Sequence, residues 1–418
     1  MERIPLADNP TGRRLVLASI ALLALGVVMV HSAAASVALR GPWYGRVDTR
    51  HTLFAILAAG VLLTFSRIDY RRLGRGRAVP IGAACLLGFA ILCCVLVFVP
   101  GVGHSMGGKA RWLRVGPERY SIGFQPSELL KISLLVFLAA WLARPGVNVR
   151  SFGKTFLPAT LLIGLCAGLV VRNDFGSAAI LGLTAVAVLW MAGVPGRYLL
   201  LYLPVAAGGV WKFIVNDPAR WPRIEALLDP WSTANPAAFQ PRQSLLAVLN
   251  GGWFGQGPGN GVLKLGYLPE DTTDFIFSAY CEEWGFAGAV LLMAILVLWM
   301  LQARKTAAKA GEPFGRVLAG GLGFLVAVQA VLHIAVDLVL APPTGMSLPF
   351  VSAGGTSLLA TALATAMIVS VSAHSPAEAA GECLGPDSKP SNRQLATKRR
   401  NDKQTSDEGT ALGSAASV

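Results

Sequence analysis

Residues 15–38 read LVLASIALLALGVVMVHSAAASVA, and the fold class turns on whether such a run is a buried core helix or a membrane crossing. About 20 apolar residues cross the hydrocarbon core as a helix, and this run is long enough. Nine more follow it, at Thr52–Phe65, Pro80–Val99, Pro126–Leu142, Phe156–Val171, Ser177–Ala192, Leu199–Val215, Phe275–Leu301, Val317–Leu338 and Gly354–Ala373. A soluble protein with buried helices does not sustain this pattern ten times. The sequence predicts an all-α integral membrane protein of ten transmembrane helices. The first run is too long for a cleaved signal peptide and has no small-residue cleavage site leading into a soluble domain.

Composition points the same way. The chain is 54% hydrophobic and only 14% charged, whereas about 25% of residues are charged in soluble domains. Lys and Arg set the orientation, because cytoplasmic loops carry their excess. With the N-terminus inside, 22 of the 36 Lys and Arg fall on inner segments and twelve on outer ones. The even number of spans then places both termini in the cytoplasm. Residues 1–14 read as a cytoplasmic segment and 15–373 as the ten-helix domain, with a long outer loop at 216–274 between helices 7 and 8. Residues 374–418 turn to Ser, Pro, Asp, Lys and Gly and read as a disordered cytoplasmic tail. The net charge of +13 follows from this topology and does not call for a nucleic-acid partner. The six cysteines form no CxxC pair and read as small packing residues.

Acid is concentrated in one place. Residues 267–285 read YLPEDTTDFIFSAYCEEWG, and five of the chain's 23 Asp and Glu lie there: Glu270, Asp271, Asp274, Glu282 and Glu283. A helix cap at Thr273 or Asp274 needs one acid, not five. A carboxylate held among Pro269, Phe275 and Phe277 is suited to general-base work. In QPSELLK, Glu128 and Lys131 are three apart and meet on one helical face within a span, where charge is costly and tends to be functional. Outer-loop cations near span ends, Arg50, Arg111, Arg172, Arg220, Arg223 and Lys264, suit an anionic ligand at the outer face. There is no HExxH, GxSxG or Walker loop, and the glycines of GGWFGQGPGNG read as a pliable turn.

Several stretches together resemble the SEDS family (shape, elongation, division and sporulation). They are GVVMVHSAAA, KARWLRVG, QPSELLK, NDFGSAA, LLDPW with QSLLAVLNGGWFGQGPGN, KLGYLPEDTTDFIF with EEWGFAG, and PPTGMSLPFVSAGGTSLL. The DPW, QSL and GNGVLKLGYLP stretches are closer to the division-type FtsW members than to the elongation-type RodA. Three positions depart from the family pattern: RNDFGSA stands for QPDLGTA, His333 for an Asn in the ninth span, and Ala353 for the aromatic of FVSYGG.

The resemblance implies a peptidoglycan glycosyltransferase of the bacterial inner membrane, joining lipid II disaccharides by inverting β-1,4 transfer with release of undecaprenyl pyrophosphate at the extracytoplasmic face. It also implies a class B penicillin-binding protein as transpeptidase partner, with other divisome or elongasome membrane proteins. Asp274 corresponds to the family's essential carboxylate, and Arg50, Arg111, Glu128 and Lys131 to its cavity residues. Lys264 is a further substrate-binding candidate, and Asp174, Arg223 and Glu282 are supporting ones. A divalent cation, Mg2+ or Mn2+, is an expected cofactor with Asp274 as candidate ligand, and no organic cofactor is expected. Buried charge across ten spans also suits a lipid II flippase, and a non-catalytic divisome scaffold is the third class.

Overall fold

A computed structural model describes residues 4–34, 45–76, 79–99, 101–106, 109–115, 122–218, 220–262 and 272–374. The expected disordered tail at 374–418 lies outside them, except for His374. That residue is buried and bonds to the Ser370 carbonyl, so packing runs one residue past Ala373.

The apolar runs are helices. They are α1 (Pro10–Ala34), α2 (Val47–Phe65), the short α3 (Arg71–Gly74), α4 (Ile81–Leu96), α5 (Pro126–Leu142), α6 (Leu157–Val171, entered through a π-helical turn at Phe152–Phe156) and α7 (Phe175–Met191). There follow α8 (Gly196–Leu199), α9 (Tyr202–Val210), α10 (Trp221–Leu228), α11 (Phe239–Gly251), α12 (Ile276–Lys309), α13 (Pro313–Asp337) and α14 (Gly355–Ser372). Lipid offers the backbone no hydrogen-bond partner, so each span must satisfy its own N–H and C=O groups as a helix. Seven helical segments among the described residues are long and apolar enough to cross a membrane, and α4 and α7 are shorter apolar helices. Helix α5, of 17 residues, carries Glu128 and Lys131.

Outward faces are apolar. Ile56, Leu161, Leu203 and Val205 are each at least 64% exposed, as lipid-facing side chains are and core residues of a soluble protein are not. Burial ranks the helices: 72% of the most apolar window of α14 is inside the protein, but none of that in Gly196–Val215. Helix α14 packs on α2, α13 on α12 and α7, and α12 on α1. Trp299 of α12 donates through its indole N–H to Ser19 Oγ of α1 at 3.0 Å and lies against Phe350.

Three differences from the sequence expectation bear on the site. Helix α2 begins at Val47 instead of Thr52. The connection between α4 and α5 is a small antiparallel sheet of β1 (Gly103–Met106), β2 (Lys109–Val115) and β3 (Ile122–Phe124), with Leu113 opposite Gly103 and Phe124. Leu113 packs on Cys93 and Val97 at the end of α4, and Arg111, two residues earlier, is the extra residue of a β-bulge, between Ala110 opposite Ser105 and Trp112 opposite His104.

The third difference is inside α12, which breaks at Gly285 with φ 65° and ψ −167°. The segment after α11 fills the break. Phe286 and Ala287 N–H donate to the Gly252 and Trp253 carbonyls, while the Glu282 and Glu283 carbonyls accept from Gln256 and Gly257 N–H. These four bonds replace those that the helix loses, and the glycine-rich stretch is a strap, not a pliable turn.

Candidate active site

Asp274 sits in the turn just before α12, one residue ahead of the cap position, Phe275. That turn is pinned by a segment distant in sequence: Ala353 N–H donates to the Thr272 carbonyl at 2.9 Å, and Ser352 Oγ donates to the Thr273 carbonyl at 2.8 Å. Ser352 and Ala353 belong to the loop ahead of α14, so two distant stretches of the sequence fix one carboxylate.

The Asp274 carboxylate lines a cavity of about 160 Å³ together with Arg111, Arg223, Gln240, Thr344 and Gly345. Arg111 reaches it from β2 and also lines two adjoining depressions. One holds Arg220, Arg223 and Asp174; the other descends past Gln125 to Cys94, Val97, Phe98 and Leu169. Arg111 therefore stands where a polar cavity meets an apolar slot at the membrane-spanning helices. The Arg111 Nε is buried and has no hydrogen-bond partner among the described residues.

Arg223 comes from α10, whose guanidinium is aimed by donation to the Pro343 carbonyl at 2.9 Å. Burial lowers its pKa, the Arg111 and Arg220 charges add to that, and Asp274 and Asp217 oppose it. The residue still exposes surface and remains charged at neutral pH. Arg220 is held by Asp217 at 3.3 Å and by the Phe213 and Arg172 carbonyls. The result is one carboxylate among guanidinium groups, a place where an acceptor for a proton and counter-charges for an anion lie together.

Not every candidate is drawn into that cavity. Glu128 and Lys131 form a 2.9 Å ion pair with Lys131 1% exposed, but Glu128 faces a separate small cavity with Gln329 and Thr361. Arg50 lies in the first turn of α2 and does not line the Asp274 cavity. Asp174 borders the arginine depressions, yet its oxygens accept from Ser177 N–H at 3.0 Å and Ser177 Oγ at 2.8 Å, capping α7. Lys264, Glu270 and Asp271 lie outside the described residues.

Glu282 and Glu283 are both buried, 2% and 3% exposed, although adjacent positions on a helix point about 100° apart. Both hold the strap. Glu282 Oε1 accepts from Val262 N–H at 3.1 Å, and Glu283 accepts from Gly259 N–H at 3.0 Å and from Ser32 Oγ of α1 at 2.5 Å. Glu282 is thus a strap ligand and does not line the cavity.

Sequence reasoning missed Gln240, which lies outside the quoted stretches, and did not single out Thr344 within PPTGMSLPFVSAGGTSLL. It also missed Asp337, although HIAVD places His333 and Asp337 one helical turn apart in an apolar span, a legible sign. No group of three His, Cys, Asp or Glu poised to hold a metal occurs among the described residues. Asp274 is the one carboxylate on the cavity wall among them.

The chain resembles known proteins along most of its length. Residues 13–377 match the cell cycle protein family FtsW/RodA/SpoVE. A probable peptidoglycan glycosyltransferase FtsW from Geobacter sulfurreducens is 37% identical over 363 residues, covering 86% of this chain and 94% of that protein. Another from Thioalkalivibrio sulfidiphilus is 37% identical over 366 residues, covering 85% and 88%. Among solved structures, a chain from work on the structural coordination of polymerization and crosslinking by a peptidoglycan synthase complex superposes with a TM-score of 0.68. It is 27% identical and covers 86% of this chain and 96% of its own. The rod shape determining protein RodA of Thermus thermophilus gives a TM-score of 0.60 at 26% identity, covering 88% and 96%.

Proposed function

The chain belongs to the cell cycle protein family FtsW/RodA/SpoVE, and we propose that the Asp274 cavity is where it extends a peptidoglycan glycan strand from lipid II. The chain is a membrane glycosyltransferase like its FtsW-named relatives, and those names favour a role in division. The neighbouring synthase complex couples polymerization to crosslinking, and this chain likewise works with a transpeptidase, a class B penicillin-binding protein.

One observation carries the reading: among the described residues a single carboxylate, Asp274, shares its cavity with Arg111 and Arg223. Lipid II presents a sugar C4 hydroxyl on one substrate and an α-linked pyrophosphate on the other. Asp274 takes the hydroxyl proton as the oxygen attacks the anomeric carbon. The new C–O bond forms on the face opposite the leaving group, giving β-1,4. The bond to pyrophosphate breaks with its electron pair going to phosphate oxygen, and Arg111 and Arg223 stabilise that charge. In this scheme Arg223 takes the place expected for Lys131. The apolar slot below Arg111 suits the polyprenyl chain.

With one cavity carboxylate among the described residues, a divalent cation fits when phosphate and water supply the other ligands, the usual habit of Mg2+. Asp274 would then hold Mg2+ or Mn2+, which would add charge neutralisation at the pyrophosphate.

The proposed topology takes α4, α5 and α7 as crossings together with the seven longer segments, ten in all, and the Lys and Arg distribution supports both termini inside and the Asp274 cavity outside. Lipid II supplied directly in detergent tests the function, because no translocation is then needed. The purified protein with its transpeptidase partner is expected to make long glycan strands, and Asp274→Asn to lower the rate by roughly 10²-fold. Parental synthesis by folded Asp274→Asn protein overturns the assignment, and no synthesis by the parent leaves a flippase or scaffold.

A further inference from the structure

His333 and Asp337 lie one turn apart on α13 and are 1% and 0% exposed. Neither lines the Asp274 cavity, and neither has a part in the chemistry above. Burying two titratable groups is costly unless they are paired and hydrogen-bonded, so their partners matter.

Each holds a different wall of that cavity. His333 Nδ1 is 2.7 Å from the Met346 carbonyl; a carbonyl only accepts, so Nδ1 carries the proton. Met346 follows Gly345, whose Cα is so near Asp274 that a Cβ built on it would lie 3.4 Å from Asp274 Oδ2. Asp337 Oδ2 accepts from Ser278 N–H at 3.0 Å, in the first turn of α12, and the Asp337 carbonyl accepts from Ser244 Oγ at 2.6 Å. Ser278 is four residues past Asp274. The two side chains face each other at 3.6 Å between His333 Nε2 and Asp337 Oδ2, too far for a direct hydrogen bond. His333 Nε2 and Asp337 Oδ1 have no hydrogen-bond partner among the described residues. Val336, between them in the same turn, lines the cavity itself.

We propose that His333 and Asp337 are positioning residues for glycosyl transfer, clamping the Met346 loop and the first turn of α12 to one turn of α13 so that Asp274 is held against its substrate. This rests on the reading of Asp274 as the base. The clamp acts through hydrogen bonds, so a side chain that keeps the bond keeps the function. The Asn amide N overlies imidazole Nδ1, and His333→Asn preserves the Met346 bond. Asp337→Asn keeps an oxygen for Ser278 N–H. His333→Leu and Asp337→Leu remove both bonds at similar volume.

The test is lipid II polymerisation by each full-length variant with its transpeptidase partner, normalised to folded protein, with Asp274→Asn in the same series. The leucine variants are expected to lose about tenfold or more in kcat with KM within about twofold, as misplacement of a reacting group does. The asparagine variants are expected to stay within about threefold of the parent. A merely structural pair would lower Tm and leave kcat per folded molecule unchanged, and that outcome overturns the proposal. So do asparagine variants as slow as the leucine ones. Should a leucine variant not fold, the asparagine variants decide, and a folded one slowed tenfold is the contrary result. Inactive Asp274→Asn beside parental leucine variants sinks the clamp alone, whereas active Asp274→Asn sinks the reading beneath it.

Discussion

Gly255 lies against Gly285 so closely that a Cβ built on Gly285 would meet the Gly255 nitrogen at 2.3 Å. Gly285 also has φ 65° and ψ −167°, a region that only glycine occupies without strain of about 1–3 kcal/mol. Strain and contact act together, since the atoms such a Cβ would meet, on Gly255 and Phe254, are backbone and not a flexible side chain. Gly285→Ala is expected to lower the thermal midpoint of the detergent-solubilised protein clearly below that of Gly164→Ala, where a Cβ meets nothing within 4 Å. Equal midpoints for the two variants would mean that the strap does not brace the broken helix.

The Glu128–Lys131 pair gives the second expectation. Lys131 is 1% exposed and has its carboxylate at 2.9 Å. Glu128→Ala leaves that ammonium buried alone, at a cost of about 3–5 kcal/mol. Replacing both partners with apolar residues of similar volume is often neutral. Glu128→Leu with Lys131→Met is therefore expected to recover most of the thermal midpoint lost in Glu128→Ala. A double variant no more stable than the single would show that the pair is worth more than its mutual satisfaction.

Both features mark where sequence reading works and where it stops. The ten apolar runs fall on helices because lipid forces each backbone to satisfy itself, a constraint written in composition alone. Glu128 and Lys131 were legible because their partnership is local, three residues apart. Gly285 was not: Phe275–Leu301 reads as one span despite Glu282 and Glu283, and a positive φ has no hydropathy. The strap's carbonyls find their partners some thirty residues away, so its glycines look like slack when read alone. Asp274 was legible as chemistry, but Arg223 joins it through a loop whose course the sequence does not state. The same holds for Glu282, which spends its carboxylate on the strap.

The segment joining α2 and α3 supplies a pH expectation. Burial pushes the Tyr70 hydroxyl up to about 12, and the Glu312 carboxylate beside it adds to the rise. Glu312 is in turn bridged to Arg71 at 3.0 Å. The folded protein thus holds the phenolic proton more tightly than the unfolded chain, whose tyrosines titrate near 10. The sign follows: this contribution is fully present below about pH 10 and is lost as pH rises toward 12. The difference in thermal midpoint between parent and Tyr70→Phe is expected to be constant from pH 7 to 9 and to shrink or reverse above about 10. A difference independent of pH to 11 would contradict the assignment.

The last expectation separates the two arginines of the cavity. Both face the position proposed for the departing pyrophosphate, but their settings differ. Arg111 lines the cavity and both adjoining depressions, where low dielectric strengthens its field. Arg223 exposes surface and spends one N–H on the Pro343 carbonyl, so solvent screens part of its charge. Removing a donor aimed at developing transition-state charge costs roughly 10²-fold in kcat, and Arg111→Gln is expected to approach that. Arg223→Gln should cost less, about tenfold, and its loss should fade as ionic strength rises. The double variant should fall short of the product of the two, because the groups serve one leaving group. Steady-state lipid II polymerisation at low and high salt reads all of this. If Arg223→Gln is the slower enzyme at every ionic strength, the departing charge is held by α10 and not by the strand that carries Arg111.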